Sequence, residues 1–244
     1  MSDLILDSNF QLNPNLNVTE LAKGYAHSKR YQVQNFLTDS TANLLYECLA
    51  TQVPWGIAYQ SGEKPIYHRA EVLNQLSQAE QNDIDKIIHE GALNGFQYAY
   101  NTYPVLDAYI QKWGQVPLLD RFLEYINSAE VLSFVRELTG RQDIIKGDLQ
   151  ACRYGARHYL KAHTDDVKEE SRVCAFVINL TPKWDRDWGG YLQFYNQSGD
   201  IEQAFLPRFN VLNIFTVPQS HSVSYVANYC PESRYTLTGW FRFN

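Results

Sequence analysis

Apolar positions along this 244-residue chain change their period once, near residue 140. Ahead of that point they recur at helical spacing, and beyond it they alternate in short strand-like runs. Residues 1–24 are polar and Asn-rich and predict an irregular lead-in, and alternation over 31–36 predicts a first strand. Asp39 or Ser40 then caps a helix whose Leu44, Leu45, Cys48 and Leu49 share one face. A strand over 55–59 and a Gly/Pro-marked turn over 61–65 follow. Ser77 and Glu80 have capping-box spacing, which predicts a helix running to about Asn94. Residues 95–104 are crowded with aromatics and end at Pro104, either as a hydrophobic elbow packed on the core or as a substrate-facing lid. Helices over 117–126 and 129–138 complete this half, the second closed by Gly140.

From Asp143 onward the runs predict strands over 144–153, 158–163, 173–180, 191–195, 201–205, 211–216, 222–226 and 234–243. About eight strands at this spacing read as a sandwich or jelly-roll barrel. Helices bunched ahead of such a region make the fold class α+β, with helices buttressing a sheet. The reading is one domain over 1–244, in which 1–140 supply helical support and a substrate region and 141–244 supply the core.

Composition narrows the class. The chain is 45% hydrophobic and 20% charged, an ordinary globular balance. A formal charge of -6 opposes a phosphate-binding surface, so no direct nucleic-acid partner is expected and a basic protein is the better match. Cys48, Cys152, Cys174 and Cys230 show no CxxC spacing, and no secretory or membrane-spanning run precedes or follows them. The expectation is reduced thiols in a cytoplasmic protein with no membrane association.

Candidate chemistry begins at His163-Thr164-Asp165, where strand parity puts the imidazole and the carboxylate on one face. The pair alone is a weak signal. His158 falls at odd spacing from His163, while His27, His68 and His89 lie in the helical half, which leaves His221 as the candidate third ligand. Two histidines and one carboxylate form the facial triad of non-haem Fe(II) oxygenases. The same parity gathers Arg234, Thr236, Thr238 and Trp240 on one face. An arginine with a hydroxyl two residues on can clamp a carboxylate, although a surface salt bridge is the commoner use of a strand arginine.

The order H-x-D, some fifty residues, His, then R-x-T-x-x-G-W resembles the Fe(II)/2-oxoglutarate-dependent oxygenases, in their prolyl 4-hydroxylase-like branch. Arg153-Tyr154 ahead of His163, the 173–181 run, the Trp188-Gly189-Gly190 turn and the terminal Gly-Trp-Phe extend the likeness over roughly 149–243. Asp166-Val167 and Pro182-Lys183-Trp184 look closest to hydroxylases acting on a proline of a ribosomal protein. One departure is Arg157, which stands where the family has glycine, so that turn is expected to differ.

The resemblance implies a double-stranded β-helix holding Fe(II) on His163, Asp165 and His221. Asp166 is expected to point away. It further implies 2-oxoglutarate, with its distal carboxylate on Arg234 and with Thr236 and Tyr154 as added donors. Decarboxylation to succinate with O2 would drive hydroxylation of a prolyl residue in a protein, with ascorbate as a reductant. Asp165 speaks against a halogenase. Hydroxylation of a free amino acid or small metabolite stays open, as does a non-catalytic jelly-roll binding module. The expected peptide groove involves part of 95–103.

Overall fold

The computed structural model describes residues 10–167 and 170–244. Its first half runs α1 (Val18–Ser28), β1 (Arg30–Gln34), α2 (Asp39–Thr51), β2 (Gly56–Ser61), β3 (Lys64–His68), α3 (Ala70–Leu73), α4 (Gln78–Asn94), β4 (Tyr98–Tyr103), α5 (Val105–Ile110), α6 (Pro117–Ile126) and α7 (Ala129–Thr139). The second half is β5 (Lys146–Gly147), β6 (Gln150–Tyr154), β7 (Tyr159–His163), β8 (Arg172–Asn179), β9 (Leu192–Tyr195), β10 (Ile201–Phe205), β11 (Val211–Thr216), β12 (His221–Val223) and β13 (Arg234–Arg242).

Helix boundaries follow local chemistry. Ser77 and Glu80 form the reciprocal capping box that starts α4. Gly140 closes α7 in the left-handed region at φ 73°. Thr38 caps α2, one residue ahead of the expected Asp39, because its hydroxyl reaches the Thr41 N–H. The lead-in is not irregular throughout, since Asn17 caps α1, whose one buried side chain is Tyr25. So little burial leaves almost no apolar periodicity to read. Residues 1–9 lie outside the described residues.

All strands pair antiparallel in the order β1-β11-β8-β13-β6-β4-β7-β12-β9-β10, with β2 and β3 attached through β4 and β5 on β13. The path curls into a nearly closed jelly roll. Its two ends are tied by Arg30 of β1, which donates from Nε to Gln203 of β10 at 2.8 Å and pairs with Glu202. Strand parity then sorts β8 by face. Cys174, Phe176 and Ile178 enter the core shared with α2, α6 and α7, whereas Ala175 packs with Leu192, Phe194 and Phe215 inside the barrel. Phe122 and Leu119 of α6 are fully buried in the outer core. Burial of one such side chain stabilises the fold by about 2 kcal/mol.

Three expected elements change. The 55–59 strand is the first arm of a hairpin whose second arm, β3, accepts Pro65 because it pairs with β2 alone. Residues 95–104 are neither elbow nor lid; most of them form β4, an interior strand of the sheet. The long strand over 144–153 is broken at Asp148, whose side-chain oxygen accepts the Trp240 N–H at 2.6 Å.

Candidate metal centre

His163 and His221 are register partners across β7 and β12, which brings their ring centroids to 4.2 Å. Asp165 arrives differently from the strand-parity expectation. β7 ends at His163, and Asp165 sits beyond it in the left-handed region at φ 60°. That turn, not the pleat, swings its carboxylate back. Asp165 Oδ1 lies 3.2 Å from His163 Nε2, and Oδ2 lies 3.3 Å from His221 Nε2. Ligand atoms from the three residues all fall within 4.8 Å of one another. Adjacent ligands on an octahedral first-row metal stand about 3 Å apart, so the set fits a divalent ion. Asp166 is exposed.

Each imidazole is oriented from behind. His163 Nδ1 lies 2.9 Å from the Lys161 carbonyl and His221 Nδ1 lies 2.8 Å from the Gln219 carbonyl. A carbonyl only accepts, so each Nδ1 carries a proton, and each Nε2 is turned toward Asp165. Burial pushes the Asp165 carboxyl up, but hydrogen bonds and charge from His163 and His221 more than offset it, holding the group well below the usual carboxylate range. An ionised carboxylate is the form a metal requires.

The carboxylate is also held by a ring of charges around Trp240. Trp240 Nε1 donates to Asp165 Oδ2 at 3.0 Å, and the Arg172 guanidinium stacks 3.7 Å above the indole. Arg172 pairs with Glu170 at 2.6 Å, Glu170 with Arg242 at 2.9 Å, and Arg242 with Asp148. Asp148 closes the ring on the Trp240 backbone. Gly239 has no side chain because a Cβ there would lie 2.2 Å from the Asp148 carbonyl. The Gly-Trp dipeptide thus seats a buried carboxylate and aims the indole at Asp165.

Arg234 stands at the other end of the same interior face, 1% exposed. Its Nη1 donates to the Gly190 carbonyl at 2.9 Å and its Nε contacts Asn179 Oδ1 at 3.3 Å. Both partners are neutral, and no carboxylate pairs with Arg234 among the described residues. Burial therefore pulls the guanidinium pKa down. Asn179 Nδ2 is buried beside it with no hydrogen-bond partner. Gly190, at φ 68°, lets the chain turn so that its carbonyl meets Arg234. Thr236 and Tyr154 are buried nearby, and burial pushes the Tyr154 phenol well up, keeping it a neutral donor.

A cavity of about 450 Å³ joins the two ends and is lined by His163, Asp165, His221, Arg234, Thr236 and Tyr154 together. Every expected site residue reaches it. Its wall is a file of rings in which Tyr154 stacks on Tyr100 at 5.0 Å, Tyr100 neighbours Tyr98 at 5.6 Å, and Tyr98 neighbours Phe96 at 5.8 Å. Phe96 is 5.7 Å from His163. The 95–103 segment thus faces the cavity through alternate residues of a fixed strand. His158 lies outside the cavity lining, as its spacing predicts, and burial pulls its ring down to about 4, so it is neutral.

Residues 149–242 match the family model described as the 2OG-Fe(II) oxygenase superfamily. Over this stretch the chain is similar to 2OG-Fe(II) oxygenase domains. Over 101 residues the chain is 37% identical to prolyl 3-hydroxylase OGFOD1 of Mus musculus and 36% identical to that of Xenopus laevis. Those alignments cover 38% of this chain but 18% and 19% of the relatives, so the match spans under a fifth of their length. A Pseudomonas putida prolyl-4-hydroxylase shares the fold at TM-score 0.58 and 16% identity, covering 93% of this chain and 99% of that one. A Trichoplax adhaerens prolyl hydroxylase, solved with a hypoxia inducible factor peptide fragment, does so at TM-score 0.60 and 15% identity over 92% and 88%. Arg157, where a glycine was expected, stands in a turn and adopts φ 72°. A non-glycine residue there costs about 1 kcal/mol.

Sequence reasoning assigned no role to Trp240, although parity had placed it on the right face. Asn179, Asp148 and Arg172 carried no local signal, because their partners lie on other strands.

Proposed function

We propose that this chain is an Fe(II)- and 2-oxoglutarate-dependent oxygenase that hydroxylates a prolyl residue of a protein, acting as one domain. The observation that carries the reading is a single cavity with a metal-binding triad at one end and a buried arginine lacking a carboxylate at the other. His163, Asp165 and His221 would hold the metal, and Arg234, with Thr236 and Tyr154, would hold the distal carboxylate of 2-oxoglutarate. A bound Fe(II) with O2 and 2-oxoglutarate supplies the oxidising power for C–H hydroxylation. The chain's own task is to fix the co-substrate, exclude water and present the substrate C–H to the metal face. Buried apolar walls from Phe215, Leu192 and Val223 serve the exclusion.

The prolyl assignment draws support from the OGFOD1 relatives, named prolyl 3-hydroxylases, and from the ring wall, since aromatic faces pack well on a pyrrolidine. A ribosomal protein is the partner class we favour, its basic character matching a chain of charge -6. We place the protein in the cytoplasm on the strength of four buried, unbridged cysteines, and we take ascorbate as an auxiliary reductant. No helix among the described residues is long and apolar enough to cross a membrane.

The test is turnover of 2-oxoglutarate to succinate with Fe(II), comparing proline-containing peptides with free amino acids. Stimulation by peptides, with a +16 Da product, is the expected result. Stimulation by free proline alone would transfer the assignment to a small-molecule hydroxylase. Failure to bind either Mn(II) or 2-oxoglutarate would favour a non-catalytic jelly-roll module.

A further inference from the structure

The inner face of β13 does not stop at the metal. Arg234, Thr236, Thr238 and Trp240 line the 450 Å³ cavity, and the strand continues outward to Arg242. Trp240 and Gln150 also form the rim of a second hollow of about 130 Å³, whose floor includes Leu106 and Asp148. Leu106 and Asp148 in turn belong to a third hollow of about 770 Å³, between α5, α6 and the outer end of β13. The three hollows share lining residues in sequence, Gln150 and Trp240 and then Leu106 and Asp148, so the outer two lie side by side with the cavity that holds the triad. A small metabolite seated at the metal would leave the outer part unused.

The lining of that outer part has a definite chemistry. Leu106, Ile110 and Leu123 give it an apolar floor, and Ile110 is 66% exposed although it points into no core. Asp107, Glu124, Asp148 and Glu170 contribute carboxylates, against the cations Lys146 and Arg242. Arg242 is already neutralised by Asp148 and Glu170. Glu124 is exposed and accepts a hydrogen bond from the Tyr109 hydroxyl at 2.8 Å, with no cation paired to it among the described residues. With Arg242 neutralised, Glu124 and Asp107 outweigh Lys146, and beside the exposed Ile110 they suit a leucine-like side chain next to a basic one.

We infer that these outer hollows form a docking subsite for one flank of the substrate polypeptide, taking an apolar residue on Ile110 and Leu106 and a lysine or arginine at Glu124 and Asp107. The inference rests on the peptidyl reading above and specifies which peptides it favours.

The test uses fluorescein-labelled synthetic peptides with a central proline in an Ala/Gly/Ser background. One flank carries Leu-Lys-Lys or Leu-Glu-Glu, and each version is made with that flank on the N-terminal or the C-terminal side. Anisotropy is read with protein loaded with Mn(II) and 2-oxoglutarate. In one of the two directions the Lys peptide should bind about five- to tenfold more tightly than the Glu peptide, the scale of two or three exposed charge pairs. Glu124→Lys combined with Asp107→Lys should reverse that order, and Ile110→Asp should weaken both peptides. All three substitutions are at exposed positions, and 2-oxoglutarate binding, measured in parallel, should not move. Equal binding of Lys and Glu peptides in both directions, or a preference untouched by the charge reversal, would overturn the subsite while leaving prolyl hydroxylation standing. If no peptide binds although Mn(II) and 2-oxoglutarate do, the peptidyl reading falls and the subsite falls with it.

Discussion

The two ends of the cavity handle buried charge in opposite ways. At the triad, the Asp165 carboxylate meets two imidazoles and an indole N–H, and the ring of Arg172, Glu170, Arg242 and Asp148 alternates sign behind it. At the far end, Arg234 is more deeply buried and meets a carbonyl, an amide and, at 5.4 Å, the Tyr154 ring, none of them an anion. A buried ion without a counter-ion costs several kcal/mol. A compensated end is stable by itself and serves as a preorganised frame. An uncompensated end is stable in spite of its charge, and its deficit matches the carboxylate of a ligand. The difference assigns the ends distinct roles before any ligand is named.

The largest expected effect breaks the compensated end. His221→Ala removes one of three ligand atoms and should abolish stoichiometric Mn(II) binding in equilibrium dialysis. Full binding by the variant would mean that the metal sits elsewhere. The uncompensated end should respond differently. 2-Oxoglutarate at about 100 times its dissociation constant, with Mn(II) present, should stabilise the wild type by roughly 2.7 kcal/mol. Arg234→Leu should lose most of that gain while still binding Mn(II). Because it deletes an unpaired buried cation, the substitution should not lower the stability of the ligand-free protein. An unchanged 2-oxoglutarate affinity would place the clamp on another residue.

What the sequence made legible follows the same division. The six site residues all reach one cavity, five of them from strands, and period-two alternation made the shared face of Arg234 and Thr236 readable. The route to Asp165 was misread: its left-handed backbone leaves no mark in a His-Thr-Asp string that would equally suit a strand. β4 was hidden for a different reason. Strand β4 carries Tyr98 and Tyr100 toward the cavity and buries Tyr103 on the outer core, so aromatics appear on both faces and alternation vanishes. Its partner β2 is aligned by Gln97, whose side chain takes the Gln60 N–H at 2.8 Å and returns a bond to the Gln60 carbonyl, as a strand backbone would. Nothing local announces a glutamine in that role. The charge ring was illegible in principle, since Asp148 and Arg242 are 94 positions apart and Arg172 acts on Trp240 through stacking.

The smallest effect asks whether that ring acts on the metal or merely on the barrel. Asp148 touches none of the three proposed ligands; it accepts the Trp240 N–H and two bonds from Arg242, and Trp240 then donates to Asp165. Asp148→Asn keeps one acceptor and the volume but removes the charge facing Arg242. If the ring positions the carboxylate, Mn(II) affinity should fall about tenfold, the usual scale for groups that orient a ligand from behind, or about 1.4 kcal/mol. At saturating Mn(II), 2-oxoglutarate affinity should stay at the wild-type value, because Arg234 draws its support from Gly190 and Asn179 instead. A general loosening of the barrel would lower both affinities together. An equal loss of the two would therefore show that Asp148 supports the fold at large, and the contrast between the two ends would lose its physical basis.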